Sequence, residues 1–167
     1  MRALLNQTLS LPNRDYRMSD ERKLIPADSE YLSALGLATY AFARCEWQVV
    51  WCGEKIHPGS VTKIISEEMT AGTIGKYFAN IVRNMPKSKE RDDLGSLASE
   101  FLILVNERNR IIHGKPCTAP SGAQRLSGNG IIEIVDLEKA ADAFAVCGGK
   151  LNSLFYGFLQ SYVPRQA

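Results

Sequence analysis

The chain has 167 residues, 45% of them hydrophobic and 23% charged, with a formal net charge of +2. That length fits one domain of ordinary size, large enough to bury a core without disulfides or metals. The charge is too small to mark a general nucleic-acid binder, although it leaves room for a local basic patch, and no apolar run is long enough to span a membrane.

Four cysteines stand at 45, 52, 117 and 147. None has the Cys-x-x-Cys spacing of a zinc or redox motif. Cys45 and Cys52 are seven apart in an expected helix and read as core residues, which fits a reducing cytoplasm. The start of the chain is too short and too polar to read as a secretory signal.

Residues 1–27 lack periodicity and carry a charged run between Pro12 and Pro26. They read as an N-terminal arm ahead of a helical domain over 28–163. A long helix is expected over 29–53, capped by Asp28 or Ser29. Leu32, Leu35, Ala38, Phe42, Cys45 and Val49 draw its apolar stripe, and Trp47 and Trp51 lie on another face. These tryptophans could stack bases, but packing at a helix interface is the simpler expectation.

His57-Pro58-Gly59-Ser60 reads as a turn, with His57 a solvated turn residue. Residues 61–69 read as a short helix, broken at Thr70-Ala71-Gly72. A second helix over 74–85 stops before Pro86. Glu67 and Glu68 are adjacent rather than at metal-ligand spacing, and read as surface.

A third long helix is expected over 89–113, with a stripe of Leu94, Leu97, Phe101, Leu104, Arg108 and Ile111. Gly114 and Pro116 form its stop signal. A small hairpin pairs 124–127 with 131–135, and the Gly-x-Gly at 128–130 is its turn rather than a dinucleotide-binding motif. Asp136 is expected to cap a last helix over 137–162. Its Gly148-Gly149 predicts a kink or a close helix contact. The fold expectation is mainly α: a bundle of four to five helices with one small hairpin before the last helix.

The stretch Glu107-Arg-Asn-Arg-Ile-Ile-His-Gly-Lys-Pro116 carries the chemistry. Asn106, Asn109 and His113 line one side of the third helix, and Arg108 lies on the apolar stripe beside them. Asn109 is one turn before His113, within reach of the imidazole. A histidine in a last helical turn is favoured by the helix dipole alone. An arginine on a core stripe needs a reason. Either it snorkels to solvent, or it pairs with a carboxylate such as Glu46 or Glu54, or it faces a cleft that receives anions.

Arg108-Asn109-Arg110-Ile111-Ile112-His113 resembles the Arg-x4–6-His motif of HEPN domains, including the polar residue that follows the arginine. The motif stands late in a long helix of a helical bundle, as in that family, and the resemblance covers about residues 29–162. It implies a metal-independent endoribonuclease needing no cofactor, of toxin–antitoxin, abortive-infection or CRISPR-linked defence. Arg108 and His113 would be catalytic, with Asn109 in support, and Arg110 and Lys115 could add RNA contacts. The RNA 2′-hydroxyl would be the nucleophile and a 2′,3′-cyclic phosphate the product.

Five residues separate Arg108 from His113, so on an ideal helix they diverge by about 140°. A homodimer with a composite site eases this geometry, as in HEPN ribonucleases. An antitoxin or defence-complex partner is a further expectation. Lys115 stands where some HEPN toxins carry a modifiable tyrosine. The competing expectation is a non-catalytic helical module that binds a protein partner or a nucleotide, with Arg108 ion-paired and His113 shut off. A third is a scaffold tethered by the N-terminal arm.

Overall fold

A computed structural model describes residues 27–164, so the arm expected over 1–27 lies, apart from Ala27, outside the described residues. Five α-helices form: α1 (Ser29–Ile56), α2 (Ser60–Ser66), α3 (Ala71–Arg83), α4 (Lys89–Ile112) and α5 (Ile134–Tyr156). Between α4 and α5 lies an antiparallel sheet of β1 (Lys115–Thr118), β2 (Gln124–Gly128) and β3 (Gly130–Ile132), in that order across the sheet. A short 3₁₀ turn, Phe158–Gln160, follows α5. The mainly helical fold with a small sheet before the last helix matches the expectation. No helix among the described residues is long and apolar enough to cross a membrane.

Local chemistry explains the boundaries. The Asp28 carboxylate caps α1 by accepting the Tyr31 N–H at 2.7 Å. Glu54 caps α2 from outside, accepting the N–H groups of Gly59 (2.9 Å) and Val61 (2.8 Å). Thr70 caps α3 and Ser88 caps α4. The break near 70 therefore falls just before Ala71, and Gly72 lies inside α3.

Two expectations about the last helix need correction. Its N-cap is Glu133, and Asp136 is the third helical residue of a capping box. Ile134 and Val135 thus belong to α5, although their β-branched run resembles strand. The helix ends at Tyr156 rather than 162, and Gly157 N–H donates to the Ser153 carbonyl. The expectation at Gly148 is met by close contact, because a side chain there would stand 3.4 Å from Cys45 Cα.

The core is continuous. α1 lies along α5, α3 along α4, and α4 against α5. Phe42 is its hub, stacked on Phe101 (5.8 Å between centroids) and edge-on to Phe144 (5.2 Å). Cys45, Cys52 and Cys147 are buried free thiols, and burial pushes Cys52 up to about 12. Leu32, expected on the core stripe, is instead 44% exposed. Trp47 and Trp51 are 48% and 46% exposed, so among the described residues neither is enclosed in a helix interface.

The sheet anchors the end of α4 to the start of α1. Arg125 Nη1 donates to Asp28 Oδ2 at 2.7 Å, and its Nε donates to Glu133 Oε2 at 3.0 Å. Its guanidinium lies over the Tyr31 ring, 4.6 Å from the centroid. The Tyr31 hydroxyl accepts the Leu126 N–H at 3.0 Å.

Candidate active site at the end of α4

Helix α4 stops where the sequence says it should. His113 is its C-cap, with its N–H donating to the Asn109 carbonyl at 3.0 Å. Gly114 follows because β2 passes close. A Cβ on Gly114 would stand 2.9 Å from Leu126 Cβ and 3.1 Å from the Ile111 carbonyl oxygen.

Arg108 sits on the buried stripe of α4 with Leu94, Leu97, Phe101, Leu104 and Ile111, and is itself half-buried. Its guanidinium carbon lies 5.5 Å from the centroid of the Phe42 ring, a cation–π arrangement. Its Nη1 donates to Asn109 Oδ1 at 3.1 Å. Among the described residues it makes no ion pair. Of the two carboxylates that sequence offered as partners, Glu54 is spent on α2. Glu46 is half-buried near Arg108. Burial pushes its carboxyl above the usual range, and the Arg108 charge offsets part of that.

The other motif residues diverge. Asn109 is half-buried and braces Arg108, and no hydrogen bond joins it to the imidazole among the described residues. The His113 side chain is exposed. Arg110 is forked onto Glu107 at 2.6 to 3.1 Å. Those hydrogen bonds to Glu107 hold the Arg110 pKa above its ordinary value. The Arg110 stem crosses Gly128, where a Cβ would meet Arg110 Cγ at 2.7 Å. Lys115 is exposed on β1, opposite Ser127. Arg108 and Asn109 are thus brought together, whereas His113 and Lys115 stand apart on the surface and Arg110 is tied to the sheet.

Chemically, the site offers a planar cation on an aromatic face with no ion-pair partner among the described residues, an amide beside it, and an exposed imidazole at the helix end. Among the described residues no group of three His, Cys, Asp or Glu side chains is placed to hold a metal ion. Phe42 is the neighbour of Arg108 that the sequence did not reveal. Its place on the α1 stripe marked it as core, and nothing in the spacing told which α4 residue it would meet. No family model, curated protein or solved structure matches the chain.

Proposed function

We propose that the chain is a HEPN-type, metal-independent endoribonuclease that works as a homodimer on RNA, in a toxin–antitoxin or phage-defence setting. The observation that carries this reading is the state of Arg108. It is held on the core stripe by Phe42 and Asn109 and, among the described residues, has no carboxylate in ion-pair contact. An arginine kept in that way is available to a phosphate, to which it presents two parallel donors. His113 supplies an imidazole for proton transfer. RNA brings its own nucleophile, the 2′-hydroxyl.

The divergence of Arg108 and His113 favours a site shared by two copies. Ile112 is 41% exposed one turn beyond Arg108 on the same side of α4, an apolar group that a second copy would cover. Two motifs facing each other would place two arginines and two histidines along one strand. Lys115 is the better placed of the two expected accessory cations, since Arg110 is committed to Glu107. The non-catalytic alternative asks that Arg108 be neutralised by a carboxylate, and among the described residues it makes no ion pair.

The test is cleavage of a mixed-sequence single-stranded RNA in EDTA, with product ends identified as 2′,3′-cyclic phosphate. Arg108→Ala and His113→Ala should each abolish cleavage without unfolding the chain. Mixing the two inactive variants should restore part of the activity if the site is composite. A strictly monomeric protein, or a wild type that leaves RNA intact, would overturn the reading.

A further inference from the structure

Glu46 follows Phe42 by one turn of α1, so the two side chains share a face of that helix. Phe42 carries the Arg108 guanidinium on its ring, and the Arg108 charge acts on the Glu46 carboxyl. Glu46 therefore belongs to the same neighbourhood as Arg108. Yet the two form no ion pair, for which a nitrogen–oxygen distance of 4.0 Å would be enough.

Among the described residues, nothing else partners the Glu46 carboxylate. The Lys63, Lys89 and Lys150 ammonium groups are each paired to other acids. Glu46 also borders an open groove of about 280 Å³ with Trp47, Ile65, Glu68 and Met69. The titratable groups around it are Cys45 beside it on α1, Arg108 from α4 and Glu68 beyond α2.

A half-buried carboxylate without a donor costs stability. A purely structural one would close on the arginine beside it. This one forms no ion pair among the described residues, which leaves a base and a cation in one neighbourhood. Those are the two groups needed by a ribose 2′-hydroxyl and its adjacent phosphate. The hydroxyl must lose a proton as the phosphoryl oxygens gain charge.

We propose that Glu46 is the general base of the site, accepting the 2′-hydroxyl proton while Arg108 holds the phosphate. This rests on the ribonuclease reading above. The O2′–H bond breaks to the Glu46 carboxylate as O2′ bonds to phosphorus. The P–O5′ bond breaks, and O5′ takes a proton from the His113 imidazolium. The products are a 2′,3′-cyclic phosphate and a 5′-hydroxyl, and Glu46 and His113 are reset by proton exchange with water. The motif has a single histidine per chain, so a carboxylate in the other role gives each half of the site its own base.

The experiment compares full-length wild type, Glu46→Gln and Glu46→Asp on a fluorophore–quencher RNA of mixed sequence, across pH. Loss of a general base lowers kcat by about 10²-fold or more. Glu46→Gln should show that loss with KM little changed, and the acidic limb of its pH–rate profile should vanish. Glu46→Asp, which keeps the carboxylate, should restore part of the rate and the limb. It also serves as the informative variant if the Gln protein fails a circular-dichroism folding check. Suppose Arg108→Ala and His113→Ala are inactive while Glu46→Gln keeps near-wild-type rate and an intact acidic limb. Then Glu46 is not the base, and the ribonuclease reading stands without it. A wild type that cleaves no RNA removes both.

Discussion

Arg108 rests on the ring of Phe42, 5.5 Å from its centroid, and Phe42 is itself wedged between Phe101 and Phe144. A charge on the core stripe of α4 is thus supported by an aromatic cluster rather than by an acid. A cation–π contact contributes about 0.5–2 kcal/mol, enough to fix the head group without neutralising it. Its Nη1 also donates to Asn109 Oδ1 at 3.1 Å.

The first prediction follows from that support. Phe42→Leu keeps an apolar side chain in the core but removes the aromatic face. Its stability loss should be about 1–3 kcal/mol, the range of ordinary core changes. RNA cleavage, measured at a temperature where both proteins remain folded, should fall by more than the folded fraction explains. Equal specific activity in the two proteins would show that the ring does not position Arg108.

The second concerns the helix stop. Gly114 leaves room for β2, and an added methyl would stand 2.9 Å from Leu126 Cβ. Gly114→Ala should cost about 1–3 kcal/mol by overpacking, which for a chain of this size is roughly 2–4 °C of melting temperature per kcal/mol. A thermal melt checks it. An unchanged melting temperature would mean that the sheet shifts freely away from α4.

These two positions also mark how far sequence reasoning reaches. The end of α4 was legible because Gly114 and Pro116 act locally. The anomaly of Arg108 was legible because a charge on a 3.6-residue apolar stripe is visible in one dimension. What Arg108 touches was not, since Phe42 and Glu46 are brought to it by tertiary packing of α1. The strand β1 was missed for a local reason. Pro116 cannot donate to a ladder and argues against a strand, yet β1 is an edge of the sheet, where proline is tolerated. The start of α5 was missed because Ile131 to Val135 has strand composition throughout. The capping box of Glu133 and Asp136 overrides that preference after Ile132.

The third prediction sets an acid dependence. Asp28 has its carboxyl held below the ordinary value of 3.8, first by the Tyr31 N–H and then by the Arg125 hydrogen bond. A depressed folded-state pKa stabilises the fold above the ordinary value. That contribution is lost as pH falls below 3.8 and through the folded-state value. Arg125→Met removes one of the two causes. It should be less stable than wild type at neutral pH, and the gap should narrow in acid. Denaturant midpoints at the two pH values decide it, and a gap that is constant with pH would assign the loss to packing on Tyr31 alone.

The fourth prediction separates a functional Glu46 from a structural one without using RNA. Its carboxyl is raised above the ordinary value of 4.5 because burial outweighs the attraction of Arg108. Between the ordinary and the raised value the folded chain binds more protons than the unfolded chain. Stability from this group therefore falls as pH rises through that window, and the ionised form carries the full penalty at neutral pH. Glu46→Gln removes the charge and keeps the shape. It should be more stable than wild type at neutral pH, and its advantage should shrink as pH drops through the raised value toward 4.5. The Asp28 dependence is common to both proteins and cancels in the comparison. A structural partner of Arg108 gives the opposite sign, because its removal leaves a half-buried guanidinium without its nearest counter-charge. Melts of the two proteins across this range read the sign directly. A Gln variant less stable than wild type at neutral pH would return Glu46 to the role of an ion-pair residue.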